Sequence, residues 1–197
     1  IDNVENEELT KIEEIFLDKT APVSNLKVMG DKFEGNYIFV SERTEFNIVA
    51  TDNKAGVKEI YFSTPSIQEK IFVDVFKLTG PLGLKDINFY AIDRVDNSEE
   101  LKSESFFLDN KAPNTSISFG DPSFFTRDTL FISEQSKISL LAKDDDSGPK
   151  TSYYMVNDGD TTTYDEPFSL SNEGYKRIEF FSIDNVNNTE SPKNGSA

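Results

Sequence analysis

The sequence predicts an all-β protein made of tandem immunoglobulin-like β-sandwich domains, about seven strands each, arranged end to end. Three observations carry this. Apolar residues alternate with polar ones at a period of two, as in Phe46, Ile48 and Ala50 against Glu45, Asn47 and Thr51. Clusters of Gly, Pro, Asn and Asp interrupt these runs every ten residues or so. The phrase Ile-Asp-x-Val-x-Asn-x-Glu occurs at Ile1–Glu8, Ile92–Glu99 and Ile183–Glu190, a step of 91 residues each time. That period is too long for a solenoid turn and suits one small domain.

Taken in order, the first copy has the strand ending at Thr51, a strand near Lys58–Ser63, a short one near Phe72–Leu78 and a central one with Ile87, Phe89 and Ala91 on one face. The second copy repeats them with Ile138, Leu140 and Ala142, then Ser152–Val156, Glu166–Leu170 and Ile178, Phe180 and Ser182. Asn53–Gly56, Asp146–Pro149, Asn157–Asp160 and Asn172–Gly174 are the intervening turns. A last strand is expected over Lys102–Phe107, and its counterpart ending at Phe16 is also expected to be a strand, although its Glu and Lys content reads as helical in isolation. Ala21-Pro22 and Ala112-Pro113 mark short junctions, since proline removes a backbone donor and restricts the residue before it. The expected boundaries are 1–16 for the tail of a preceding repeat, 17–107 for repeat 1 and 108–197 for repeat 2. The tail is an orphan copy of the closing strand, which raises the expectation of strand-swapped self-association with another molecule's second domain.

Composition narrows the chemistry. The chain has no Cys, His or Trp, which removes thiolates, imidazole bases, disulfides and the commonest zinc ligands. A formal net charge of −16 makes nucleic acid an unfavourable partner, and no apolar run is long enough to span a bilayer, so no membrane insertion of this segment is expected.

The residues best placed for chemistry are aspartates. Following the inward alternation one step past each strand gives Asp52 and Asp93 in the first copy, and Asp144 and Asp184 in the second; linker residues Asp18 and Asp109 arrive at the same ends. Asp146 adds charge to the second pole. Two readings stay open. Clustered carboxylates need compensation, and calcium, a hard cation that prefers oxygen ligands, would supply it. Alternatively each Asp is a turn residue accepting local backbone N–H bonds. The spacing is not that of an EF-hand. Paired carboxylates recurring in each bead at a domain junction, with no aromatic cleft, argue against an enzyme.

The run Ala142-Lys143-Asp144, Tyr153–Gly159, Tyr164–Phe168, Asn172–Gly174 and Phe181–Glu190 resembles the leptospiral OmpL-type surface repeat, within the broader bacterial immunoglobulin-like extracellular modules that open on a linker such as Asp18–Pro22. The family's closing Asp-Asn-Ala-Gly-Asn is here Asp184–Asn188 and, more loosely, Asp93–Asn97, so the turn lacks its glycine; Ser63–Ser66 stands where an Asp-Gly hairpin is usual. The barrel that the family name suggests is not supported, because no lipid-facing apolar band is present. The resemblance implies an extracellular or bacterial cell-surface location and a non-enzymatic stalk or adhesion array, with neighbouring repeats and a host protein or glycan as partners. The alternatives are an accessory module of a larger secreted carbohydrate-active or proteolytic enzyme, and a carbohydrate-binding domain.

Overall fold

A computed structural model describes residues 9–194. The described residues are all-β with no helix, and so with none long and apolar enough to cross a membrane. Strands β1 (Val23–Met29), β2 (Lys32–Glu34), β3 (Ile38–Val40), β4 (Glu45–Thr51), β5 (Val57–Thr64), β6 (Ile67–Ile71), β7 (Phe76–Lys77), β8 (Gly83–Asp93) and β9 (Lys102–Leu108) form a first sandwich. Strands β10 (Asn114–Phe119), β11 (Ser123–Thr126), β12 (Thr129–Ile132), β13 (Ile138–Lys143), β14 (Pro149–Val156), β15 (Thr162–Tyr164), β16 (Ile178–Asp184) and β17 (Lys193–Asn194) form a second. No sheet mixes strands from the two sides of residues 109–113.

In the first sandwich one layer is β1-β4-β7 and the other β2-β3-β9-β8-β5-β6. The alternation seen in the sequence is the alternation of burial: along β8, Ile87, Phe89, Ala91 and Asp93 are buried and the residues between them are half-covered. Phe46 and Ile48 from one layer meet Ile87, Phe89, Phe106 and Leu108 from the other, and Phe46 and Phe106 cross edge to face at 5.0 Å. The second sandwich keeps the plan with a smaller core, in which Ile138, Leu140, Ile178 and Phe180 are buried. Ser182 replaces Ala91 there, and its hydroxyl is matched by Thr115 at 2.6 Å and Ser152 at 2.7 Å, so a polar group inside the core has partners.

Several expectations change. Residues 9–16, expected to be a strand, carry no regular structure and belong to no sheet, whereas their matching strand β9 lies between β3 and β8. The tail's first eight residues lie outside the described ones. Glu166–Leu170 contributes a single bridge, Ile138 to Phe168, in place of a strand. A hairpin absent from the sequence reading, β2–β3, extends the larger sheet, because β3 runs parallel to β9 with Phe39 opposite Phe107. Adjacent Phe106 and Phe107 point to opposite faces, as neighbours on a strand must, the first into the core and the second onto Phe39 at 5.2 Å.

Phe106→Ala should cost about 3–5 kcal/mol in urea unfolding of the first sandwich, the usual loss for an enclosed aromatic. Phe124→Ala, at a side chain 66% exposed, should change stability by less than about 0.5 kcal/mol.

Candidate functional site: two aspartate poles and the joint

The repeated phrase builds a turn, and each letter has a task. Asp93 Oδ1 accepts the N–H groups of Val95 at 2.9 Å and Asn97 at 2.8 Å, while Oδ2 accepts the Asn97 side-chain amide at 2.7 Å. Asp184 does the same with Val186 and Asn188 at 2.9, 2.7 and 2.8 Å. The place where the resembled family carries glycine is held by Asp96 at φ 66° and Asn187 at φ 61°, both short polar residues that tolerate the left-handed region. The closing Glu staples the first strand: Glu99 accepts from Ser24 N–H and pairs with Lys102, and Glu190 accepts from Thr115 N–H and pairs with Lys193.

Each pole gathers three carboxylates. In the first, Asp18, Asp52 and Asp93 each place an oxygen within 4.8 Å of the others; in the second, Asp109, Asp144 and Asp184 do so. Asp146 is outside that trio, since its backbone N–H turns inward to Asp144 Oδ1 at 3.0 Å while burial and the Asp109 and Asp144 charges push its own carboxyl pKa up. Asp52 Oδ2 accepts from the N–H groups of Lys54 and Gly56, as Asp144 Oδ1 does from Asp146 and Gly148. Backbone dipoles thus offset much of the like-charge repulsion. One oxygen is left over: Asp52 Oδ1 is buried without a hydrogen-bond partner. Ser147 Oγ, beside the second pole, is also buried and unpartnered.

The poles differ electrostatically. Thr20's hydroxyl and N–H hold the Asp18 carboxyl down at about 2. Burial pulls Asp93 upward, but the Asn97 side chain with the N–H groups of Asn97 and Val95 outweighs it, and the group sits below the ordinary range. Burial is again the largest influence on Asp184; with the Asp109 charge it prevails over the same set of donors and moves the group above that range.

The extra burial comes from the first sandwich. Val186 is fully buried, whereas Val95, its counterpart, is 56% exposed. The far end of the first sandwich covers the second pole: Arg43 donates to Val186 O at 2.7 Å and to Asp31 at 2.8 Å, and Asn187 Nδ2 donates to Asp31 Oδ1 at 2.8 Å. Asp109 belongs to both sides. Its N–H donates to Val40 O at 2.9 Å in the first sandwich, its carboxylate accepts from Lys111 and Ser147 in the second, and its carbonyl accepts from Asn188. Sequence reasoning found the aspartates but missed Asn97, Asn188, Glu99, Glu190 and the Arg43–Asp31 pair. The first four recur at the 91-residue step, which was the available signal, and the last pair has none.

No family model matches the chain, and no curated protein matches it. Among solved structures the chain is similar to one described as Clostridium thermocellum CbhA fibronectin(III)-like modules, with 15% identity and a TM-score of 0.45 over 87% of this chain and 91% of that one.

The pole geometry gives opposite pH responses. Asp18 and Asp93, depressed in the folded state, stabilise it above the ordinary Asp range, and that contribution is lost as pH falls through their lowered values. Asp146 and Asp184 are raised, so lowering pH from neutral through their folded values increases stability relative to neutral pH. Carboxyl-resolved NMR titration should place the first pair below and the second above the usual range. Asp184→Ala, which orphans three donors, should cost about 1–3 kcal/mol in the second sandwich.

Proposed function

We propose that this chain is a non-catalytic structural segment, a stalk or adhesion spacer of a bacterial cell-surface or secreted array, in which successive sandwiches are held at a fixed angle. The observation that carries the reading is Asp109, whose backbone completes one sandwich while its carboxylate closes the pole of the next. A linker that short, bonded on both sides, is a hinge with little freedom. The composition agrees, because no thiol or imidazole is available for catalysis. An acidic surface also keeps neighbouring chains apart.

The unpartnered Asp52 oxygen and the carboxylate trios favour a second role for the poles as calcium sites that stiffen the array. Calcium held by the native state alone raises the melting temperature as its concentration rises above the dissociation constant.

Two measurements test this reading. Small-angle scattering should give a narrow, elongated distance distribution that broadens in Arg43→Ala, which leaves both cores intact; a distribution indifferent to the change would remove the joint from the proposal. Calorimetric melting should shift upward in calcium relative to chelator, with the first sandwich's shift lost in Asp52→Asn. A melt that ignores calcium would exclude the cation.

A further inference from the structure

Both sandwiches carry an aromatic pair on the outer face of a sheet, and they differ in what surrounds it. In the first, Tyr61 of β5 and Tyr90 of β8 are register partners whose rings stack at 5.1 Å with 11° between their planes. In the second, Tyr153 of β14 and Phe181 of β16 repeat the pair at 5.1 Å and 22°. Both pairs point away from the core, because their neighbours along the strands, such as Phe62, Phe89 and Phe180, are the buried ones. A cross-strand aromatic pair stabilises a sheet wherever it occurs, so the stack alone implies no ligand.

What sets the first pair apart is charge. The Tyr61 hydroxyl donates to Glu59 Oε2 at 2.6 Å, and the Tyr90 hydroxyl, more loosely, to Glu69 Oε1 at 3.4 Å. In the second sandwich Thr151 stands opposite Ile183 where Glu59 stands opposite Ile92, and Phe181 has no hydroxyl for a carboxylate to hold. Among the described residues neither Glu59 nor Glu69 is in an ion pair, and the lysines beside them are engaged elsewhere: Lys58 with Asp96 at 2.8 Å, and Lys70 over the Phe62 ring at 5.5 Å. Ile71, the partner of Tyr61 on β6, is 42% exposed and carries the row to the edge of the sheet, where no further strand covers it. Tyr90, Tyr61 and Ile71 thus form an apolar row bordered by two carboxylates that lack a cation.

We propose that this row is a contact site for basic side chains, lysine or arginine, presented by an extended segment of a partner protein. Their aliphatic stems cover the tyrosine rings and Ile71 while their charged ends meet Glu59 and Glu69. Attraction between cation and ring adds to the charge pairing, and a tyrosine whose hydroxyl donates to a carboxylate has the more electron-rich ring. Residues two apart in an extended segment share a face at a spacing of ~7 Å, so an alternating basic sequence presents two cations to the row at once. A net charge of −16 draws basic partners to the chain as a whole, and at this row apolar surface reinforces the charge. The proposal rests on the adhesion reading above, to which it adds a partner class and a surface; the joint and the spacer role stand without it.

Titration of the chain with a synthetic Ser-Arg-Ser-Arg-Ser peptide, followed by amide NMR, tests it. Saturable shifts should concentrate on β5, β6 and β8 and spare Tyr153 and Phe181. Glu59→Gln/Glu69→Gln should bind about fivefold more weakly, the loss expected for two exposed charge pairs, with an unchanged melt because glutamine still accepts the tyrosine hydroxyls. Glu134→Gln/Glu173→Gln removes the same charge at two exposed positions of the second sandwich and should bind as wild type does. Shifts of equal size at the aspartate poles, equal weakening in both double variants, or no saturable shift at all would each overturn the proposal. Any of these would leave the scattering result for the joint unchanged, so a failed contact site is distinguishable from a failed spacer.

Discussion

Asp109 is the constraint from which the rest of the architecture follows. Its N–H is committed to Val40 in the first sandwich, and its carboxylate to Lys111 and Ser147 in the second. Being fully buried, it cannot exchange these bonds for water without a cost that exceeds any one of them. The strand that delivers it is fixed in turn by Phe106 and Leu108, which sit in the core. Core packing in one sandwich is thereby converted into the position of a charged group in the next.

That delivery explains why acidic residues cluster where repulsion should forbid them. Each pole sets its carboxylates against N–H groups of tight turns, and the turns are tight because Asp96 and Asn187 accept the left-handed backbone that glycine usually supplies. The two poles then diverge for one reason. In the first, the Asn97 and Val95 donors outweigh burial and hold Asp93 below the ordinary range; the second lies beneath Arg43 and Asp31, and burial tips Asp184 the other way. A repeated motif acquires two electrostatic characters from what covers it.

Much of this was legible in the residues. Period-two alternation located β4, β5, β8, β13, β14 and β16, because strands half-buried in a sandwich must alternate. The step from Ala50 to Asp52 and from Ala91 to Asp93 placed the carboxylates together, since alternation continues past a strand's end. Hairpins β2–β3 and β11–β12 were not legible. Their strands are three and four residues long and their polar turns resemble loop; the first joins its sheet through a parallel contact of β3 with β9 that is distant in sequence, and the second forms a two-stranded sheet of its own. Residues 9–16 show the opposite failure: strand chemistry is present, but the partners that make a strand are not beside it. Arg43 and Asp31 left no trace because an exposed ion pair looks like any other surface until the neighbouring sandwich is in place.

The most direct measurement of the account is backbone 15N relaxation across both sandwiches. If Asp109 fixes one to the other, a single axially symmetric diffusion tensor will fit amides from β1–β9 and β10–β16 together, with its long axis running through the joint. Two separate, shorter correlation times, one for each sandwich, would contradict it.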